Sequence, residues 1–178
     1  MANIFVISDT HFGHENIAVH FKRQDGTPVR PFASVEEMDE RMVANWNRVV
    51  RPQDHVWHLG DVVMRQQALD AIMPRLQGHL RLIRGNHDIF KTKQYARYFE
   101  EIHGNRVLDN FLMTHIPVHP DSLGRFKANV HGHIHERQVM TKGIGSVEFS
   151  DPRYLNVSVE QPWMNYTPIP WETLKALR

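Results

Sequence analysis

The chain has 178 residues, a net charge of +1, 41% hydrophobic residues and 23% charged residues. That is the size of one domain, 1–178, with enough apolar side chain to bury a core rather than stay disordered. The near-zero charge gives no support to nucleic-acid binding. The absence of Cys excludes disulfide frameworks, thiolate nucleophiles and Cys-type zinc sites. No apolar run approaches the ~20 residues of a membrane span. The start, MANIFVISD, has no basic region and reaches Asp9 too early for a signal peptide. A cytoplasmic protein with no membrane contact is therefore expected.

Asn3–Ile7 is a short apolar run and reads as a buried strand. Residues 21–33, with Gly26, Pro28 and Pro31, read as a loop. Ser34 and Glu37 fit a capping box, so a helix should run from there to about Val50. It should bury Val35, Met38, Met42, Trp46 and Val49. His55–Leu59 is a second strand. Arg65–Leu76 looks helical, with Leu69, Ile72, Met73 and Leu76 on one face, and Pro74 should end or kink it. Leu80–Arg84 is a third strand and Lys91–Glu100 a helix. Asn110–Thr114 is a fourth strand, 116–125 a loop, and Tyr154–Val159 a late strand. Pro170 can open a final short helix at its first position. Strand-then-helix alternation, with the later strands less separated, favours an α/β or layered α-β-β-α architecture.

Polar residues collect where these strands end. The sequence reads Asp9-x-His11, then Gly60-Asp61, Gly85-Asn86-His87-Asp88, His115, and Gly132-His133-x-His135. Ligands of α/β sheets bind outside the carboxyl ends of strands. Five separate segments would thus deliver Asp, Asn and His to one rim. A single Asp or His at a strand end is usually a turn residue; five in this order are not so easily explained. The set is too large for one tetrahedral zinc and suits two metals sharing a carboxylate. Alternation along extended backbone would turn i and i+2 to the same side, and each Gly would let the chain approach an ion closely. The chain also has 13 His, and imidazole is a common metal ligand.

Asp-x-His, Gly-Asp, Gly-Asn-His-Asp, His and Gly-His-x-His, in that order, resemble the calcineurin-like metallophosphoesterases from Asp9 to His135. The opening Ser8-Asp9-Thr10-His11-Phe12-Gly13-His14-Glu15-Asn16 looks like a small bacterial and phage branch. The resemblance implies a fold of class α/β, a four-layer αββα sandwich of two mixed sheets flanked by helices. It implies two divalent metal ions, one held by Asp9, His11, Asp61 and His135, the other by Asp61, Asn86, His115 and His133. Manganese is expected, with Fe, Zn, Co or Ni as alternatives. It further implies a phosphate mono- or diester as substrate, a metal-bridging hydroxide as nucleophile, and His87 as general acid. A nuclease or nucleotide-processing phosphodiesterase is the alternative, and a non-catalytic binding module a third reading.

Many relatives carry Gly-Asp-x-x-Asp, whose second Asp orients the catalytic His. Here that position is Met64, so Asp88 or a main-chain carbonyl is the expected partner of His87. His131-x-His133-x-His135 also echoes the metallo-β-lactamase cluster, but Glu136 and Arg137 stand where that family needs Asp and His. Candidate substrate contacts are His14, Arg84, His119 and Arg125, with Lys127 and Arg30 as further cations. His58 and His131 are candidate supports for the ligands.

Overall fold

The computed structural model describes residues 2–178. Its first sheet contains β1 (Ile4–Ile7), β2 (His55–His58), β3 (His79–Ile83), β4 (Glu101–His103) and β11 (Ile169–Pro170), in the order β11-β1-β2-β3-β4. The second contains β5 (Asn105–Leu108), β6 (Phe111–Thr114), β7 (Asn129–His131) and β10 (Tyr154–Asn156), in the order β10-β7-β6-β5. A small hairpin joins β8 (Met140–Lys142) and β9 (Glu148–Ser150). Each large sheet is parallel except for one antiparallel strand at its edge: β11 on β1, and β5 on β6. The two mixed sheets and their helices form the expected four-layer αββα sandwich.

The central strands are buried on both faces, as parallel sheets covered on both sides require. Phe5, Val6, Ile7, Val56, Trp57, Leu80, Leu82 and Ile83 all belong to one core. Helix α1 (Val35–Val49) begins at Ser34, whose hydroxyl accepts the Glu37 N–H at 3.1 Å. The return bond from Glu37 goes to the Ala33 N–H at 2.8 Å rather than to Ser34. The helix buries Met38, Met42, Val43 and Trp46, while Val35 and Val49 pack at the margin. Helix α2 (Gln66–Ile72) passes into a tighter turn at Met73–Arg75, where Pro74 cannot continue the α-helical ladder.

Tertiary pairing overrides local pattern in several places. The helix expected over Lys91–Glu100 is one turn only, α3 (Thr92–Tyr95). The Glu100 N–H bonds to the Leu80 carbonyl at 2.9 Å, which draws the chain into β4. Strands β5, β8 and β9 are short and mostly exposed, so they carry no apolar alternation to read. The late strand ends at Asn156 rather than Val159 because Ser158 turns to pair with Ser8 at the end of β1. Pro170 caps α4 (Trp171–Lys175) rather than occupying its first turn, since it also pairs in β11.

The Ser8–Ser158 pairing closes the sandwich at one end. The Ser8 N–H reaches the Val157 carbonyl at 3.0 Å and the Asp9 N–H reaches the Gly60 carbonyl at 3.0 Å. The ends of β1, β2 and β10 therefore converge on one rim. Helix α1 is tied to that rim by Asp39, whose carboxylate oxygens both lie 3.1 Å from the Gly13 nitrogen.

Burial pushes Asp39 up to about 6, with the Gly13 hydrogen bond opposing the shift. A carboxyl raised above its unfolded value supports folding fully below about pH 4, and that contribution is lost as pH rises through about 6. Asp39→Asn is therefore expected to raise Tm at pH 7.5 and to leave it little changed at pH 4. Thermal melts at the two pH values test this, and equal shifts would refute the assignment.

Candidate metal centre

The side chains expected at strand ends meet on that rim. Asp9, His11 and His135 each offer a ligand atom, all within 4.8 Å of one another, and so do Asp61, His115 and His133. Asp61 joins the groups: its Oδ2 lies 3.6 Å from His11 Nε2 and 3.4 Å from His115 Nε2. Asn86 completes the second group, with its Oδ1 2.9 Å from His115 Nε2.

The backbone achieves this by left-handed turns, not by the extended alternation the spacing suggests. Asp9, His11, Asp61, His133 and His135 all have positive φ, between +49° and +71°. Asp and His tolerate this region better than most residues, yet each such position costs on the order of 1–3 kcal/mol unless its surroundings enforce it. The enforcement is visible. The His133 N–H bonds to Asp9 Oδ2 at 2.9 Å, and the His87 N–H bonds to Asp61 Oδ1 at 2.8 Å. Close packing of these turns also requires glycine: a Cβ on Gly132 would lie 2.2 Å from Asp9 Oδ2, one on Gly85 2.2 Å from Asp61 Oδ1, and one on Gly60, whose φ is +98°, 2.5 Å from the Gly85 nitrogen.

The donor chemistry fits divalent cations. His11 is buried, and neither of its ring nitrogens has a hydrogen-bond partner. Burial, aided by the Arg30 charge, holds its pKa well below the ordinary value, so it is neutral with a free lone pair. His115 Nδ1 lies 2.7 Å from the Leu59 carbonyl. With the proton there, Nε2 is an acceptor facing two other acceptors, Asn86 Oδ1 and Asp61 Oδ2. A proton or a cation between them relieves that arrangement. Burial would lower the pKa of His115, but the Asp61 hydrogen bond together with the charges of Asp9 and Asp61 and the Leu59 carbonyl raises the value. Burial would likewise raise Asp61, and the hydrogen bond and charge of His115 hold it down. Asp9 stays raised, because burial exceeds the pull of His135 and His115.

A model of the calcineurin-like phosphoesterase superfamily domain matches residues 2–157. The chain belongs to that superfamily. It is 33% identical over 180 residues to the uncharacterized protein MJ1445 of Methanocaldococcus jannaschii, covering 99% of this chain and 92% of that one. It is 36% identical over 94 residues to the Gene 66 protein of Mycobacterium phage L5, covering 49% of this chain and 41% of the phage protein. Among solved structures it is similar to the protein of unknown function AQ665 from Aquifex aeolicus. That match has a TM-score of 0.64 and 25% identity, with 100% of both chains covered.

Other candidate residues of this phosphoesterase-superfamily chain divide sharply. His87 is exposed beside the rim, its ring 5.5 Å from that of His11. His14 is 5.7 Å from His11, and His11, His14 and His87 all line a cavity beside the rim. Asp88 does not orient the His87 ring. Its buried carboxylate takes the N–H groups of Asp61 and Gly85 on Oδ2, at 2.9 and 2.8 Å, and that of Val62 on Oδ1, at 3.0 Å. Its place is to fix the turn carrying Asp61. Arg84 turns away from the rim: its guanidinium donates to the carbonyls of Asp88 and Phe90. His119 and Arg125 are exposed and do not line the cavity beside the rim. Lys127 lies instead over the Phe111 ring.

His58 and His131 do support the rim. The Gly60 N–H donates to His58 Nδ1 at 3.2 Å, which leaves Nε2–H for Thr10 Oγ1 at 3.0 Å. Burial lowers its pKa to about 3. His131 Nδ1 lies 2.8 Å from the Gly132 carbonyl.

The residue that sequence reasoning missed is Glu160. Its Oε1 lies 2.9 Å from His135 Nδ1 and accepts from Arg30 at 2.8 Å (Nε) and 2.6 Å (Nη2). Arg30 is fully buried, so it is not a surface cation; it also donates to the carbonyls of Thr10 and Asp9. The only sequence signal was a charged residue directly after the apolar run ending at Val159. Carboxylate partners of ligand histidines fix ring orientation and raise basicity. Glu160→Gln is therefore expected to weaken Mn²⁺ binding about 10–100-fold, read by isothermal titration calorimetry. Undiminished affinity would show that the contact is structural only.

Proposed function

We propose that this chain hydrolyses a phosphate mono- or diester with two divalent ions at the rim. The observation that carries the reading is the paired ligand groups on either side of Asp61, with His11 and His115 nitrogens facing the same carboxylate oxygen. Asp9, His11, Asp61 and His135 would hold one ion; Asp61, Asn86, His115 and His133 the other. When bound, such a pair (manganese by preference, with Fe, Zn, Co or Ni as alternatives) supplies Lewis-acid polarisation of the phosphoryl group and makes a water nucleophilic near neutral pH.

The protein's own part is positioning and proton transfer. Asp61 fixes the start of the His87 residue through that residue's N–H. Its exposed ring borders the cavity beside the rim. From there a ring nitrogen can give its proton to the leaving oxygen as the P–O bond breaks, so the alcohol departs neutral. The phosphate left behind keeps the oxygen taken from water.

The test is hydrolysis of a panel of phosphate mono- and diesters, including p-nitrophenyl esters, with Mn²⁺ and an EDTA control. His87→Ala is expected to retain its metal content by elemental analysis and to lose about 10²–10⁴-fold in kcat. The loss should be larger for an alkyl ester than for a p-nitrophenyl ester, since the poorer leaving group depends more on the proton. Full turnover in His87→Ala would refute its acid role. No turnover by the Mn²⁺-loaded native chain on any ester would refute the reading as a whole.

A further inference from the structure

The candidate-ligand rim opens into a cavity of about 390 Å³ whose lining is of two kinds, the imidazoles of His11, His14, His87 and His135 and the apolar side chains of Ile17, Phe21, Val29 and Ile134. Ligating cations calls for none of these apolar groups, and Ile134 sits between two candidate ligands on the same loop. Glu136 and Arg137, which also border the cavity, carry opposite charges, so they favour neither an anionic nor a cationic substituent.

The apolar wall is held in place before anything binds. The Val29 N–H donates to the Phe21 carbonyl at 2.9 Å, and the Arg23 N–H donates to the Thr27 carbonyl at 2.8 Å. Lys22 pairs with Pro28 between them. The Arg23 guanidinium spans the loop to the Val29 carbonyl at 2.9 Å. The next residue, Arg30, anchors the loop on Glu160 and the Asp9 carbonyl. A wall ordered in advance loses little entropy when a ligand meets it. Phe21 is nonetheless 48% exposed. It meets His14 edge-on at 5.8 Å, and His14 meets His11 at 5.7 Å, so aromatic rings run from the cavity mouth to the ligand rim.

We infer that this cavity is a subsite for an aromatic ring carried by the leaving alcohol of the phosphate ester, as in a nucleoside or aryl ester. The inference rests on the phosphoesterase reading. The leaving oxygen must lie next to its proton donor, and His87 lines this cavity. The group behind that oxygen therefore enters the cavity and faces Phe21, and flat rings stack or pack edge-on against aromatic side chains.

Non-hydrolysable phosphonates separate the two readings. On the Mn²⁺-loaded full chain, calorimetry should find benzylphosphonate bound about tenfold or more tightly than methylphosphonate, the order expected of one stacked ring. In Phe21→Ala the ratio of the two affinities should fall toward 1, and in Phe21→Tyr it should be kept. The 5′-methylenephosphonate analogues of AMP and ribose 5-phosphate, which cannot be hydrolysed at that bond, identify the source of the ring. The same preference for the AMP analogue assigns a nucleobase; equal binding of that pair, with benzyl preference intact, assigns a smaller aryl group. A hexylphosphonate that binds as tightly as benzylphosphonate would overturn the aromatic assignment. Equal or absent binding of the benzyl and methyl compounds, with ester hydrolysis intact, would overturn this inference alone. Absent binding with no ester hydrolysed would overturn the phosphoesterase reading and this inference with it.

Discussion

One oxygen of Asp61 faces two imidazole nitrogens, His11 Nε2 at 3.6 Å and His115 Nε2 at 3.4 Å, in a rim closed to solvent on most sides. Nε2 of His115 has a lone pair when Nδ1 carries the proton, and so has Nε2 of His11 in the same tautomer, so the three atoms could hold a cation and make a poor packing arrangement without one. The surrounding fold is organised to keep them there. Asp88 clamps the main chain of the Asp61 turn from beneath. Leu59 holds one nitrogen of His115 and thereby aims the other. Ser158, from the far end of the chain, reaches Asp9 at 2.9 Å.

That organisation carries costs that the rest of the molecule offsets. Five candidate ligands adopt left-handed backbone, and buried Asp9 feels the charges of Glu160 and Asp61, as buried Asp88 feels that of Asp61. Buried charge is tolerated when it is paired and fully hydrogen-bonded. Burial alone would raise Glu160, yet the Arg30 guanidinium and His135 hold it at about 2. A large shared core beneath the rim supplies the compensating stability, from Phe5 and Trp46 to Leu82 and Trp171. Backbone strain placed at strand ends leaves the strand interiors free to pack.

The Arg30–Glu160 pair also links two parts of the site. Arg30 ends the clasped loop that carries Phe21 and Val29, while Glu160 holds the ring of His135. The apolar lining of the cavity and one of the candidate metal-ligand groups therefore share an anchor. A change at either residue would be felt both in the ligand geometry and in the shape of the adjoining cavity.

Much of this was legible from residue order. Apolar runs marked β1, β2, β3 and β6, the Ser34 cap marked α1, and polar clusters after the strands marked the candidate ligands. These signals are local: a hydrophobic run, a cap and a turn each act within a few residues. The brief extent of α3, the strand β4 and the end of β10 were hidden because their hydrogen bonds come from distant segments, whereas β5 pairs with its neighbour β6 and was hidden because its exposed residues carry no apolar alternation. The same holds for roles. Nothing near Arg30 in sequence marks it as buried, since its partner is Glu160, 130 residues away. Asp88 beside His87 suggested a catalytic pair, and the turn instead sends its carboxylate to the main chain. The sequence alone determined which side chains stand at the strand ends, because strand interiors must be apolar. Only the tertiary structure decided which of them face one another and what holds them, because left-handed turns and long-range pairing set direction, and neither is written in local composition.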